Sequence, residues 1–525
     1  MKPQITIITK MLILAVCFAL FNTLYSQSVS LDLSFDNDGK VVTAVGNYDN
    51  YGYSIAIQSD GKILVVGYSN NGSNEDFTLI RYNTNGSLDS SFNSNGIVIT
   101  DFGFDDYGRS ISLQSDGKIV VAGYSNNGSN YDFALLRYNT NGSLDSSFDA
   151  DGKVITSFGT SNDYGNSLTI QSDGKIVVAG ESRNESYSDF ALVRYNTNGS
   201  LDSSFDSDGK VTTIVNGSAL NGAYSVVIQS DGKIVAAGYS GHKQNGTDFR
   251  FALVRYNING SLDNSFDKDG KVTTDIGTFG DLAYSIVIQS DGKIVAAGYS
   301  GNGSNLDFAL VRFNTNGSLD NNFGTDGKVT TAVGNSKDVA HSIVIQSDNK
   351  IIAAGQSNHS FALMRYNTDG SLDNIFDTDG KVFTDIGNGD DGAFSIAIQN
   401  DGKIVAAGFS NNGPVHYYPT HIAVVRYNNT NSVSINETAG YSKEMFVFPN
   451  PFSTYATLQT SNILKNPRLT FYNLYGQSVK QITSLTIKFG NTISFNRDNL
   501  PNGTYFIQLI DDNQIISTNK LVITD

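Results

Sequence analysis

Cysteine is all but missing from this chain: one residue, Cys17, in 525. It lies inside an N-terminal apolar run, so the mature protein is expected to hold no thiol and no disulfide. Packing alone must then stabilise an exported fold. Tryptophan is absent, which weakens any aromatic sugar platform, although tyrosine can substitute. Histidine numbers only 5 (His242, His341, His359, His416 and His421), and no HExxH, GxSxG or phosphate-loop pattern is present. Positive charge is also in deficit. Lys+Arg total 35 against 51 Asp+Glu, a net charge of −16, which repels nucleic acid and anionic membrane. Neither is an expected partner.

Long hydrophobic runs are lacking too. The longest, Met11 to Phe21, is too short to span a bilayer comfortably. With Lys2 and Lys10 before it and Leu24-Tyr25-Ser26 ahead of Gln27, residues 1–26 read as a cleaved signal peptide. Leu14-Ala15-Val16-Cys17 is a poor lipoprotein box, because Val16 stands at the usual small-residue position.

What the chain does have is repetition. Gln58-Ser59-Asp60-Gly61-Lys62-Ile63 returns at Gln114, Gln171, Gln229 and Gln289, then in altered form at Gln346 and Gln399. The spacings are 56, 57, 58, 60, 57 and 53 residues. Gly, Asn, Ser and Asp are abundant, a turn-rich β composition. In the second copy, Ser110 to Gln114 reads as a strand and Ser115-Asp116-Gly117 as a tight hairpin turn of the two-residue kind. Lys118 to Tyr124, Phe133 to Tyr138 and Lys153 to Ser157 follow as three more strands. The strands carry apolar residues on both faces, as expected for sheets covered on both sides. Four such strands per repeat predict a β-propeller blade.

A second element, SLDxxF, begins at Ser30, Ser87, Ser143, Ser200, Ser261, Ser318 and Ser371. The first copy has no strands of its own before it, and the last repeat ends near Asn428 without reaching one. An N-terminal strand is therefore expected to complete the last blade, giving an all-β, seven-bladed propeller over residues 27–430. Residues 431–443 read as a linker and 444–525 as a small C-terminal β-sandwich.

The LDxxFxxxGKVxT segment followed by SIxIQSDGKIVxAG resembles the delta-60 repeat family of bacterial surface and secreted proteins. That resemblance implies a propeller and no particular activity. Phe448-Pro449-Asn450-Pro451, Asn473-Leu474-Tyr475-Gly476, Leu500-Pro501-Asn502-Gly503-Thr504-Tyr505-Phe506 and Lys520-Leu521-Val522-Ile523 together resemble the type A sorting domain of the type IX secretion system of Bacteroidetes. The resemblance implies Pro449, Asn450, Pro451, Gly476, Leu500, Pro501, Gly503 and Tyr505 as sorting-signal residues. It also implies the type IX machinery as a partner, and release or attachment at the outer cell surface. Thr524-Asp525 departs from the family's basic end.

No catalytic constellation stands out, and no cofactor is expected. An arginine in every third strand (Arg81, Arg137, Arg194, Arg255, Arg312, Arg365, Arg426) and an aspartate in every SLDxxF (Asp32, Asp89, Asp145, Asp202, Asp263, Asp320, Asp373) are expected to pair and hold the fold. Asp145, Asp149 and Asp151 are weak calcium candidates, since Asp-Gly is first of all a turn signal and no bidentate Glu follows. The Asn-Gly-Ser and Asn-Gly-Thr sequons read as plain turns.

Function is sought where the repeats differ. The distance from the third-strand Arg to the next segment is constant at 16 residues. The distance from the repeat Gln to the third-strand apolar position runs from 15 (Gln346 to Phe361) to 23 (Gln399 to Ile422). Variation therefore gathers on one end of the propeller. There the residue before the repeated Ser changes from copy to copy: Tyr53, Arg109, Asn166, Tyr224, Tyr284, His341 and Phe394. With His416, Tyr417, Tyr418 and His421 of the last repeat, these are the candidate ligand-binding residues at the mouth of a central channel. A glycan- or protein-binding module is expected, monomeric and without a membrane span. A glycan-active hydrolase or lyase, or a surface protein without a small ligand, are the alternatives. Solvated loop residues and ordinary aromatic packing are the bland explanation of the same positions.

Overall fold

The computed structural model describes residues 29–429 and 445–524, apart from 185, 218–219, 242–247, 334–336, 412, 414–418, 449, 461–463, 474–477, 484–486, 489–491 and 512–513. These residues form two compact units, 29–429 and 445–524. Both are all-β, and no helix occurs among the described residues. The predicted signal peptide and linker lie outside them.

In the second repeat, Asp106–Leu113, Ile119–Asn126, Tyr131–Tyr138 and Lys153–Thr156 pair in order as an antiparallel sheet. The two middle strands are buried almost throughout, as expected of apolar runs covered on both faces. Strand alternation divides their side chains between two cores. Ile119, Val121, Ala134 and Leu136 pack with Leu64 and Val66 of the repeat before, whereas Val120, Ala122, Phe133 and Leu135 pack with Leu168 and Ile176 of the repeat after. The outer strand is half-wet, with Ile155 exposed. The inner strand starts at Asp106, four residues before the expected Ser110, because a β-bulge skips Arg109 and the ladder resumes at Gly108.

The repeated Gln–Lys segment joins the first two strands, but its loop has three residues rather than two. Gly117 N–H donates to the Gln114 carbonyl (2.9 Å), and Gly117 takes a left-handed φ of 83°. Asn349, with φ 64°, fills that position in the sixth repeat, which explains why QSDNKI still turns.

The expected Arg–Asp pairing is present in all seven copies. Arg137 Nε meets Asp145 Oδ2 at 2.7 Å, and Lys118 of the hairpin reaches the same oxygen at 2.9 Å. The other aspartate oxygen accepts the Ser147 hydroxyl (2.7 Å) and amide (3.1 Å), and the guanidinium lies 4.4 Å over Phe148. Arg137 Nη1 also donates to the Thr197 carbonyl of the next repeat, at 2.5 Å. One buried cation thus ties the third strand to the long connection and to its neighbour.

Two further bonds link successive repeats. The Ser110 hydroxyl accepts from Leu168 N (3.0 Å), and the Tyr138 hydroxyl bonds Thr100 Oγ1 of the preceding outer strand (2.8 Å). The last repeat makes all three links to the first. Ser395 Oγ accepts from Ile55 N (3.2 Å), Arg426 Nη1 donates to the Thr84 carbonyl (2.5 Å), and Tyr82 bonds Thr43 (2.7 Å). Thr43 belongs to the N-terminal strand Lys40–Thr43, which pairs with Thr420–Asn428 in the register Lys40↔Val425 that outer strands use elsewhere.

The C-terminal unit is two four-stranded sheets around one core that includes Leu458, Leu469, Phe471, Ile493, Ile507 and Leu521.

Removing one partner of a buried ion pair strands the other, so Asp145→Ala is expected to cost about 3–5 kcal/mol of unfolding free energy by chemical denaturation. The pH dependence has a definite sign. Burial acts to raise the Asp32 pKa, but Ser34, Lys403 and Arg426 together bring it down to about 2 from 3.8. Its contribution is therefore full above pH 3.8 and is lost as the pH falls through about 2.

Candidate functional site

Every residue of the predicted ring is the extra residue of a β-bulge. The register shifts fall between Gly52 and Ser54, Gly108 and Ser110, Gly165 and Ser167, Ala223 and Ser225, Ala283 and Ser285, Ala340 and Ser342, and Ala393 and Ser395. A bulge leaves its residue without a cross-strand partner and re-aims the side chain. Here it brings side chains from different inner strands together. Phe394 stacks on Tyr53 at 4.7 Å and 17°, and Arg109 lies 4.0 Å over the Tyr53 ring. Tyr224 and Tyr284 are 4.9 Å apart, Tyr284 and His341 5.0 Å, and His341 and Phe394 4.9 Å. Asn166 bridges to repeat four by donating to the Ala223 carbonyl at 2.9 Å. All seven stay half-buried.

The serine after each ring residue completes the unit by accepting an inner-strand amide of the next repeat, as at Ser54–Ile111 (3.3 Å) and Ser225–Ile286 (3.2 Å). Ring side chains can therefore vary without disturbing the backbone that carries them.

A second aromatic layer, unforeseen from the sequence, covers part of this end. Tyr51, Tyr107 and Tyr164 precede the ring residue by two positions in repeats one to three. Gly222, Leu282, Val339 and Gly392 occupy that position elsewhere. Tyr51 packs on Tyr68 (5.3 Å) and Phe409 (5.3 Å), Tyr107 on Tyr124 (5.0 Å), and Tyr164 on Tyr131 (5.6 Å). Comparison of NYGYS, DYGRS and DYGNS with the later copies is the signal that would have found it.

Acidic groups gather beside this layer. Burial, with Asp105 adjacent, raises the Glu75 pKa, and the Tyr131 hydroxyl donates to Asp105 Oδ2 at 3.4 Å. Asp76, Asp101 and Asp106 each place an oxygen within 4.8 Å of the others'. Asp106 is fully buried, and burial raises its pKa to about 7, with Ser125 and the Phe102 amide opposing the rise. His341 moves the other way: burial pulls its imidazole down to about 4, so it is neutral at neutral pH.

Of the remaining predicted residues, His421 and the calcium candidates are not among the ring contacts. His421 lies in Thr420–Asn428, opposite Ser410, with a buried Nδ1 that has no partner. His416, Tyr417 and Tyr418 fall outside the described residues. Asp145 is engaged by Arg137, Lys118 and Ser147. Asp149 has a left-handed φ of 47°, and Asp151 accepts the Lys153 amide at 2.9 Å. The Asp145 and Asp151 carboxylates hold the long connection, and the acidic residues that do converge, Asp76, Asp101 and Asp106, are different ones. Hollows of 440 Å³ at Gln346–Gln399 and 600 Å³ at Gln229–Ser290 open at the other end, between neighbouring hairpins. They are lined chiefly by residues of the repeated elements, so their chemistry is that of the scaffold.

Comparison with known proteins agrees with this division. A model described as a domain of unknown function (DUF5122) β-propeller matches residues 58–92, 114–148, 171–205, 229–266, 289–323 and 346–376. A secretion system C-terminal sorting domain matches residues 446–524. The chain carries DUF5122 β-propeller repeats and a secretion-system sorting domain. Each matched DUF5122 stretch opens on the repeat Gln, and those ending at Phe92 and Phe148 close on the SLDxxF phenylalanine. No curated protein matches the chain. Among solved structures it is similar to a catalytically inactive virginiamycin B lyase from Staphylococcus aureus with quinupristin (TM-score 0.41, 13% identity, 74% of this chain and 98% of that one). It is also similar to Sqt1 from Chaetomium thermophilum (0.41, 12%, 77% and 99%) and to the polysaccharide lyase Uly1 (0.40, 11%, 73% and 91%).

Within the sorting domain, several of the predicted signal residues have folding roles. Asn450 donates to the Lys520 carbonyl and accepts from Val522 N, both at 2.8 Å, so the proline-flanked motif pins the last strand. Pro451 follows it directly, and Gly503 opens the strand Gly503–Asp511. The buried Tyr505 donates its hydroxyl to the Pro501 carbonyl at 2.8 Å, and the Leu500 carbonyl accepts from Arg497 Nε at 2.8 Å. Pro449 and Gly476 lie outside the described residues.

Asp106 offers a test of the acidic cluster. Repeats one and four place Asn50 and Asn221 where it stands, so Asp106→Asn is structurally conservative. A folded pKa of about 7 against 3.8 means the protonated acid stabilises the fold below pH 3.8, and that benefit is lost as the pH rises through 7. Thermal melts from pH 4 to pH 8 are expected to show the variant gaining on the native chain as the pH rises. Parallel profiles would exclude a raised pKa.

Proposed function

We propose that the repeats close into a seven-bladed β-propeller over residues 27–430, with Lys40–Thr43 completing the last blade. We further propose that its variable end binds a glycan or protein ligand outside the cell. On this reading residues 1–26 are removed as a signal peptide. Residues 431–443 form the link to a type IX sorting domain at 444–525, which delivers the protein in secreted or surface-attached form. Closure is supported by the three links from the last repeat back to the first.

One observation carries the binding reading. The same bulge occurs in seven copies, yet it holds Tyr53, Arg109, Asn166, Tyr224, Tyr284, His341 and Phe394. A position serving the fold alone has no need of such variety, and the Arg–Asp pairs, which do serve it, are uniform. Aromatic faces with a few convergent polar groups suit a sugar. A glycan array probed with the full chain, run beside a polysaccharide-degradation screen, is expected to show binding without turnover. Tyr53→Ala and Phe394→Ala are expected to weaken it by about tenfold, roughly 1.4 kcal/mol.

The Glu75–Asp105 pair supports a second reading, a glycan-active hydrolase or lyase, because a carboxyl raised by burial and a neighbouring acid can serve as a general acid. Turnover in the same screen, abolished by Glu75→Gln, would decide for it.

A further inference from the structure

Arg109 is at odds with the buried third-strand arginines. Each third-strand arginine meets an aspartate at 2.7–2.8 Å. Arg109 has no carboxylate among its described contacts. Its Nη2 donates to the Tyr124 hydroxyl at 2.6 Å, its guanidinium lies over Tyr53 (4.0 Å) and Tyr124 (5.3 Å), and its Nε is buried without an acceptor. The neighbours on the ring do not balance its charge. Tyr53, Asn166, Tyr224, Tyr284 and Phe394 bring no carboxylate, and burial keeps His341 neutral. A permanent cation set among aromatic rings without a counter-ion is costly unless something else supplies the negative charge.

We infer that Arg109 receives the carboxylate of a uronate-bearing glycan whose sugar ring packs on the Tyr53–Phe394 wall. This rests on the binding reading above and names the ligand's charge. A guanidinium matches a carboxylate in both charge and planar geometry. The stacked faces of Tyr53 and Phe394, 17° apart in plane, present a flat apolar surface next to it. A glycan suits the site better than a peptide. Inner-strand amides are already taken by serine hydroxyls of the neighbouring repeats, as at Ile55–Ser395 and Ile111–Ser54, which leaves those amides no part in strand addition. The same end carries Glu75, Asp76, Asp101, Asp105 and Asp106, and the chain's net charge is −16, so a densely sulfated polyanion is repelled where a single carboxylate is tolerated.

The test is calorimetric titration of the full chain with a glucuronate-terminated oligosaccharide, its glucose-terminated counterpart, dextran sulfate and a peptide with a free C-terminal carboxylate. The glucuronate ligand is expected to bind about tenfold tighter than the glucose one or better. Arg109→Gln should erase that preference, and Arg109→Lys should keep part of it. Equal affinity for the two oligosaccharides would overturn the inference and leave the binding reading intact. Silence toward every glycan would overturn the inference and the glycan form of the binding reading together. Peptide binding without uronate binding, or tighter binding of dextran sulfate, would also overturn it. Melting curves of both variants show whether they fold, and the native comparison of the two oligosaccharides decides the matter without them.

Discussion

The interaction on which the rest of this protein depends is a buried arginine that cannot be left alone. In each repeat it sits in the third strand, where both faces of the sheet are covered and water is excluded. An ionised carboxylate must come to it, and the SLDxxF aspartate does so, with the hairpin lysine and a serine or backbone amide completing its shell. That requirement draws the long connection back across the sheet. The guanidinium's remaining reach, to a carbonyl one repeat further on in six copies and to the Asn429 amide oxygen in the other, makes the same charge an inter-repeat bond. One electrostatic demand therefore shapes the loop, aligns the hairpin and sets the spacing between neighbours.

With the hairpin end fixed this way, the opposite end is free to diverge. Its β-bulges separate two jobs that a regular strand would combine. The serine after the bulge keeps the backbone tied to the neighbouring repeat, and the bulged side chain meets its counterparts from other repeats. The result is a uniform frame carrying seven independent side-chain choices, with a tyrosine layer added on repeats one to three and an acidic cluster on repeats one and two. Asymmetry of that kind, on a scaffold whose other contacts repeat, is where a ligand finds specificity.

Much of this was legible in the chain. The period of the Gln element marked the repeats, the Asp-Gly dipeptides marked their hairpins, and the register of the orphan SLDxxF segment pointed to Lys40–Thr43 pairing with the last repeat. Arg137 and Asp145 could be paired because invariance across copies implies a structural duty. The ring residues were found as the variable member of an otherwise constant pattern. The bulge was not legible, because nothing in Gly108-Arg109-Ser110 announces which residue leaves the ladder. Tyr107 and Tyr131 were passed over because they lie in different strands of the repeat and meet only when the first and third strands take their places in the sheet. Spacing alone made Asp145 and Asp151 weak calcium candidates, ranked below plain turn chemistry, and their hydrogen-bond partners emerge only once the strands are placed.

Repetition, strand composition and turn chemistry are local properties, so the sequence by itself determined that this would be an all-β chain of four-stranded repeats followed by a separate sorting domain. It also determined which end of each repeat would vary. What only the tertiary structure decided is which variable residues face one another, and with what charge. Those depend on bulges and on contacts between segments some sixty residues apart, the order of the repeat itself. Arg109 is the clearest instance. In the sequence it is one more arginine, and in the fold it is a cation among aromatic rings with no acid among its described contacts.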